Sequence, residues 1–251
     1  MKKALYIICL FFVSVLFAEE FSYGDFLYKI NENDEVILTK CKITNGFVQI
    51  PSEINGKKVT TIENDIFKYG NYISSIEIPD SVEKIYSGVF TTCQSLVSVT
   101  LSENNENFAI IDNILYNKKE KSVVSCFSTK ANIVIPYGIE KIESSAFEYC
   151  TSIIGVDIPS SVKIIGSMSF FGCYSLSAIA IPDSVELIEY WAFGLCKALA
   201  SFYVYHSVPC IEEKIFLDND YVVVHCNEGS SVEKYCQENN IKYSITSEWL
   251  K

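Results

Sequence analysis

IPDSVELIEYWAFGLC, residues 181–196, restates IPSSVKIIGSMSFFGC at 158–173 and IPYGIEKIESSAFEYC at 135–150. The prolines Pro136, Pro159 and Pro182 stand 23 residues apart. So do Phe147, Phe170 and Phe193, and so do Cys150, Cys173 and Cys196. An upstream copy, IPDSVEKIYSGVFTTC (78–93), carries Pro79, Phe90 and Cys93 at the same internal offsets. Pro79 and Pro136 are 57 residues apart, room for one ordinary copy and one longer one. The longer copy opens as VTLSENN at Val99, with Ser102 in the proline position. IPSEINGKKVTTIENDIF (50–67) precedes these, and FYVYHSVPCIEEKIF (202–216) follows with the apolar spacing kept and the proline lost. The tally is about seven coils.

The internal spacing says how a coil is built. Ile76 and Ile78 form a period-two pair whose side chains share one face of a short strand. Pro79 then removes a backbone donor and ends the ladder, and Asp80-Ser81 is turn chemistry. Val82, Ile85, Val89 and Phe90 continue the apolar series through a short helical or 3₁₀ turn. Such a coil is too short for a strand plus a long helix. A fixed period between about 20 and 29 residues with apolar residues at set offsets marks a leucine-rich-repeat solenoid. The expected fold is therefore a β-rich solenoid, a right-handed superhelix of the α/β-horseshoe type, capped at both ends. Stacking is obligatory, because no single coil can bury its own apolar side.

Phe67, Phe90, Phe147, Phe170 and Phe193, with Cys93, Cys150, Cys173 and Cys196, are expected to form the core ladder. Equivalent residues in stacked coils have parallel Cα–Cβ vectors, whereas a disulfide needs Cβ atoms about 3.8 Å apart and turned together. The repeated cysteines read as buried thiols acting as small hydrophobes. Metal binding is a poorer reading, since the ladder holds no histidine and no C-x-x-C pair. Cys41, Cys126, Cys210, Cys226 and Cys236 follow no period, which leaves one or two disulfides open, Cys226 with Cys236 among them.

The pattern IPxSVxxIxxxAFxxCxxLxxI resembles the BspA-like class of leucine-rich repeats over most of the chain. IPSEINGKKVTTIENDIF looks like that family's opening repeat, and FLYKINENDEVILTKC (26–41) like the hairpin before it. NFAIIDNILYNKKEKSVVSCF (107–127) is similar to its longer repeat, and HCNEGSSVEKYCQENNIKY (225–243) to its closing helix. Ser230 or Ser231 is independently a fair N-cap for that helix. Leu195, the lost proline near Tyr205 and the weak copy at 99–132 depart from the pattern. The implied organisation is a signal peptide at 1–18, a hairpin cap at 19–47, a solenoid at 48–226 with the longer repeat at 99–132, and a capping helix and tail at 227–251. The resemblance implies an exported or surface protein engaged in adhesion, and it carries over no catalytic residue.

Composition narrows the partners. The formal net charge is −11, and all 20 basic residues are lysine. With no arginine fork and an acidic balance, the chain lacks the footprint for nucleic acid. Lys2 and Lys3 precede ALYIICLFFVSVLF, an apolar run of 14 residues broken only by Ser14 and closed by Ala18 and Glu19-Glu20, the form of a secretory signal. An uncleaved anchor and a lipidated Cys9 are the alternatives. Cleavage after Ala18 would leave no integral membrane segment, and loss of the two lysines would take the charge from −11 to −13.

No constellation supports catalysis or a cofactor. His206 and His225 sit in no nucleophile or metal motif, and Gly166-Ser167-Met168-Ser169 is not G-x-S-x-G. Glu140, Glu143 and Asp157 recur between apolar positions as a solvated face does. Binding gains from geometry instead. Outward strand positions Ser75, Glu77, Ser98, Thr100, Asn132, Val134, Gly155, Asp157, Ala178, Ala180, Ser201 and Tyr203 should line up as one continuous strip. At strand spacing the strip would run about 25 Å and offer roughly 800 Å² to a partner. Ala178, Ala180, Tyr203 and Tyr205 make its C-terminal end the more apolar. The expected function is non-enzymatic binding of a protein ligand, such as a host extracellular or cell-surface protein. Self-association in the cell envelope is the alternative. Surface, periplasmic and released locations all fit an exported chain.

Overall fold

A computed structural model describes residues 19–246; the expected signal segment lies outside the described residues. The chain winds as a β-solenoid whose coils each supply one short strand to a common face. Among the described residues there are nine face strands, where about seven coils were expected. The two additional ones, Val223–Cys226 and Tyr243–Ile245, flank the closing helix Ser231–Glu238. The face is parallel and in register: Ser75 lies opposite Ser98, Asn132 opposite Gly155, and Ala178 opposite Ser201. Its inward residues, among them Ile76, Ile133, Val156, Ile179 and Phe202, are buried.

After two of the face strands a turn serine ties one coil to the last. Ser161 Oγ donates to the Ile139 carbonyl at 2.7 Å, and Ser184 Oγ to that of Val162 at 2.6 Å. A two-residue strand follows on the flank, and Lys141–Ile142, Ile164–Ile165, Leu187–Ile188 and Cys210–Ile211 pair in parallel as a second ladder.

The coil then returns through an arc of consecutive turns. Only the first arc contains a regular 3₁₀ helix, Asn64–Phe67. In the others alternate amides point in different directions. Glu148 and Cys150 donate back to Ser145 and Phe147 within the arc, while Ser145, Phe147 and Tyr149 donate to carbonyls of Ser167, Ser169 and Phe171 one coil on. Met168, Phe170 and Gly172 repeat the pattern toward Tyr190, Ala192 and Gly194. The alternation needs left-handed backbone at fixed positions, so Met168, Trp191 and Leu195 adopt φ of 56°, 57° and 55°. An L-residue there costs about 1–2 kcal/mol. The inter-coil hydrogen bonds made by Met168 and Leu195 offset that strain.

Inside the arcs the phenylalanines stack. Phe147 and Phe170 have ring centroids 5.0 Å apart and planes 4° apart, and Phe170 and Phe193 repeat this at 5.2 Å and 4°. Phe216 extends the column at 6.2 Å. Beside them, Cys173 and Cys196 thiols donate to the carbonyls of Phe147 and Phe170, both at 3.1 Å. Half-buried Cys150 reaches the Cys126 carbonyl at 3.7 Å. All nine described cysteines are free, Cys226 and Cys236 included. Burial pushes the Cys93, Cys196 and Cys236 thiols up to about 12, and Cys173 up as well. These thiols remain protonated and inert at neutral pH.

The longer repeat interrupts the pattern. Its strands Phe108–Ile111, Ile114–Asn117 and Ser122–Cys126 form an antiparallel meander, turned at Asp112-Asn113 with both residues left-handed. The last of these strands joins the flank ladder of the following coils. Neither ladder crosses this point. The upstream flank ladder ends at Lys84–Ile85, the upstream face at Ser98–Leu101, and the buried residues divide into two clusters. At the N-terminal end Phe21–Tyr23, Phe26–Ile30 and Val36–Cys41 form an antiparallel sheet that pairs onto Lys57–Ile62. At the other end Ser230 caps the closing helix by accepting from Glu233 N at 3.1 Å, and Tyr235 Oη accepts from Ile215 N.

Candidate binding face

The outward positions of the face strands stand in two columns. One runs Phe47, Ser75, Ser98, then Asn132, Gly155, then Ala178, Ser201, Val223. The other runs Gln49, Glu77, Thr100, then Val134, Asp157, then Ala180, Tyr203, His225, with Ser244 last. Strand geometry puts the second column, as far as His225, outward between core residues on both sides, whereas each first-column residue up to Ser201 has a core neighbour on its C-terminal side only. The expected single strip is corrected in one respect: it breaks between Thr100 and Val134. The meander occupies the sequence that would have supplied an ordinary intervening coil. Downstream, Asn132–Val134 and Gly155–Asp157 connect to the remaining strands through Ser177 N on the Ile154 carbonyl at 3.1 Å.

The two ends differ in chemistry. Upstream, Glu77 is exposed and accepts from Gln49 Nε2 at 3.4 Å, beside exposed Thr100. Asp157 and Val134 are exposed in the middle, Val134 at 64%. At the C-terminal end Tyr203 stacks on His225, centroids 4.6 Å apart and planes 16° apart. Tyr205 lies just beyond the strand, its ring 6.2 Å from that of Tyr203. Burial, then the neighbouring Tyr203, raise the Tyr205 phenol. Below this group His206 fixes the turn, with Nδ1 3.1 Å from Asp183 Oδ1 and Nε2 3.4 Å from the Val185 carbonyl oxygen. Asn227 Nδ2 donates to the Tyr205 carbonyl.

His225 is the face residue that periodicity alone misses. It follows Tyr203 by 22 residues, one short of the period, and lies past the last copy that keeps the apolar spacing. Among the described residues no three His, Cys, Asp or Glu side chains are placed to hold a metal ion. No described helix is long and apolar enough to cross a membrane. What the face offers chemically is a preformed array of side chains with an aromatic end.

The family described as BspA type leucine rich repeat region matches residues 39–130 and 119–243, in six copies. No curated protein matches the chain. Among solved structures, a leucine-rich repeat protein from Eubacterium ventriosum superposes with a TM-score of 0.60 at 17% identity. That match covers 82% of this chain and 77% of the other. A leucine rich cell surface protein from Faecalibacterium prausnitzii gives 0.41 at 17% identity, over 92% of this chain and 99% of that one. The pneumococcal vaccine antigen PcpA gives 0.45 at 12%, over the same shares.

Proposed function

From the premise that this chain belongs to the BspA-type leucine-rich repeat family, we propose that it is an exported, non-enzymatic protein that binds a protein ligand through its face strands. The observation that carries this reading is the Tyr203–His225 stack with Tyr205 beside it, set at the end of a rigid strand array. Tyrosine is enriched at binding hot spots because it offers area and a polar tip at small entropic cost. A preformed array adds little ordering cost to association. The ligand class is an extracellular or cell-surface protein, since an acidic chain without arginine is poorly suited to a phosphate backbone.

The test is capture of extracellular matrix, serum and envelope proteins by the purified chain, followed by affinity measurement on what is retained. Tyr203→Ala, Tyr205→Ala and His225→Ala should each weaken a captured ligand about tenfold or more. Unchanged affinity in all three would remove the face from the account. A second reading has its own observation. The face strands Asn45–Gln49 and Tyr243–Ile245 each have one neighbour, and exposed Phe47, Tyr243 and Ile245 sit on them. Open edges of this kind can pair with another chain. Light scattering that rises with concentration would favour a self-associating envelope component.

A further inference from the structure

The arc where the longer repeat lies is incomplete, and the gap has a definite chemistry. In a regular pair of arcs three amides bridge to the next coil, as Ser145, Phe147 and Tyr149 do. Upstream of the gap Gly88 N finds the Val124 carbonyl at 3.1 Å and Phe90 N finds Ser125 Oγ at 3.3 Å. Downstream, Cys126 N donates to the Ala146 carbonyl at 2.7 Å. Residues 124–126 thus replace the first part of a missing arc. The last bridge is absent. By repeat position, Thr92 N–H upstream and the Glu148 carbonyl downstream correspond to Tyr149 N–H and the Phe171 carbonyl, which are bonded in the regular coils. Neither has a hydrogen-bond partner among the described residues.

A cavity of about 280 Å³ occupies this place, lined by Thr91, Cys93, Gln94, Cys126–Thr129 and Glu148–Ser152, with Thr92 between its lining residues Thr91 and Cys93. Phe90, Leu96 and Phe127 are buried beneath it. Glu148 is half-buried here, at a position that carries Phe171, Gly194 and Leu217 in the following coils. No described ion pair engages it. Burial raises its carboxyl above the usual range, with a Ser145 hydrogen bond pulling the other way. Three other described cavities each set a lysine beside their carboxylates: Lys214 with Asp218, Lys58 with Glu83, and Lys141 with Glu143. The arc gap has a carboxylate and no cation.

We propose that the arc gap is a second binding site, which takes an extended peptide segment of a partner protein and pairs that segment's lysine or arginine with Glu148. The segment's backbone supplies the absent bridge, its carbonyl accepting from Thr92 N–H and its amide donating to the Glu148 carbonyl. The exposed Tyr149 ring at the rim offers a face to the same cation. A charge-assisted hydrogen bond in a partly desolvated site is stronger than a neutral one, which makes the cation the discriminating feature.

The probe is a set of immobilised, acetylated and amidated pentapeptide pools with Ser, Thr and Val flanks and a central Lys, Arg, Gln or Glu. The purified protein should be retained about tenfold better by the Lys and Arg pools than by the Gln pool. Glu148→Gln, checked for fold by circular dichroism, should bring the Lys and Gln pools level. Glu228→Gln, on an exposed turn, and Tyr203→Ala, on the face, should leave the preference intact. On binding a Lys pentapeptide, the Thr92 amide should become protected from hydrogen exchange. Equal retention of Lys and Gln pools would overturn the proposal, as would a preference that survives Glu148→Gln. Equal loss in Glu228→Gln would also overturn it, by assigning the preference to overall charge.

Discussion

Downstream of the longer repeat, Phe147, Phe170 and Phe193 stack within 5.2 Å and with planes 4° apart. Upstream, Phe67 and Phe90 lie 6.3 Å apart with planes 22° apart, and Phe90 meets Phe127 edge-on at 83°. The two regions use one repeat and differ in how strictly it is kept. Unbroken periods give Phe170 and Phe193 an equivalent ring on either side, the arcs at 145–149 and 168–172 three inter-coil hydrogen bonds each, and the thiols of Cys150, Cys173 and Cys196 a carbonyl. A single irregular coil removes these together for the arc beside it. Regularity in this molecule is therefore a packing property, and the irregular coil is where backbone and charge are left unsatisfied.

The comparison can be broken most forcefully at the rings. Phe170→Ala should cost about 4 kcal/mol by chemical denaturation, since it removes a buried ring with two parallel partners. Phe90→Ala should cost nearer 3 kcal/mol, having one loosely stacked partner and one edge-on. A double-mutant cycle on Phe147 and Phe170 should return a coupling of about 1 kcal/mol. Equal costs at Phe170 and Phe90, with no coupling, would dissolve the distinction between the regions.

A smaller effect sharpens it at the gap. With its carboxyl raised, Glu148 holds its proton more firmly in the folded chain than in the unfolded one. Stability therefore falls as pH rises from the ordinary carboxylate value of 4.5 through the raised one. Glu148→Gln removes that fall. It should gain stability over the parent at pH 7, a small effect after solvent screening, and nothing near pH 4. Tyr149, Cys93 and Cys150 also face the cavity, and all are raised away from this window. A gain that is the same at both pH values would assign the effect to packing and not to charge.

Much of the architecture was legible because a fixed spacing cannot persist unless equivalent residues meet. Phe147, Phe170 and Phe193, and the turn serines Ser161 and Ser184, all kept phase. The last two face strands lost it. His225 falls one residue short of register with Tyr203, and Tyr243–Ile245 follows a helix that hides the return to the face. The left-handed positions at Met168, Trp191 and Leu195 are hard to read from those residues themselves; only Gly88 and Gly172, left-handed at the equivalent positions of other coils, hint at them. Nothing in the sequence pattern singles out Glu148. Its isolation follows from the absence of a neighbouring arc, which spacing alone does not reveal.

Native-state hydrogen exchange at four equivalent amides tests the central claim most directly, that regular coils complete one another while the irregular coil leaves a gap. Tyr149, Gly172 and Leu195 donate to the next coil, so their amides should exchange at least about a thousandfold more slowly than the Thr92 amide in the free protein. Thr92 protected to the same degree as Tyr149 would contradict the account.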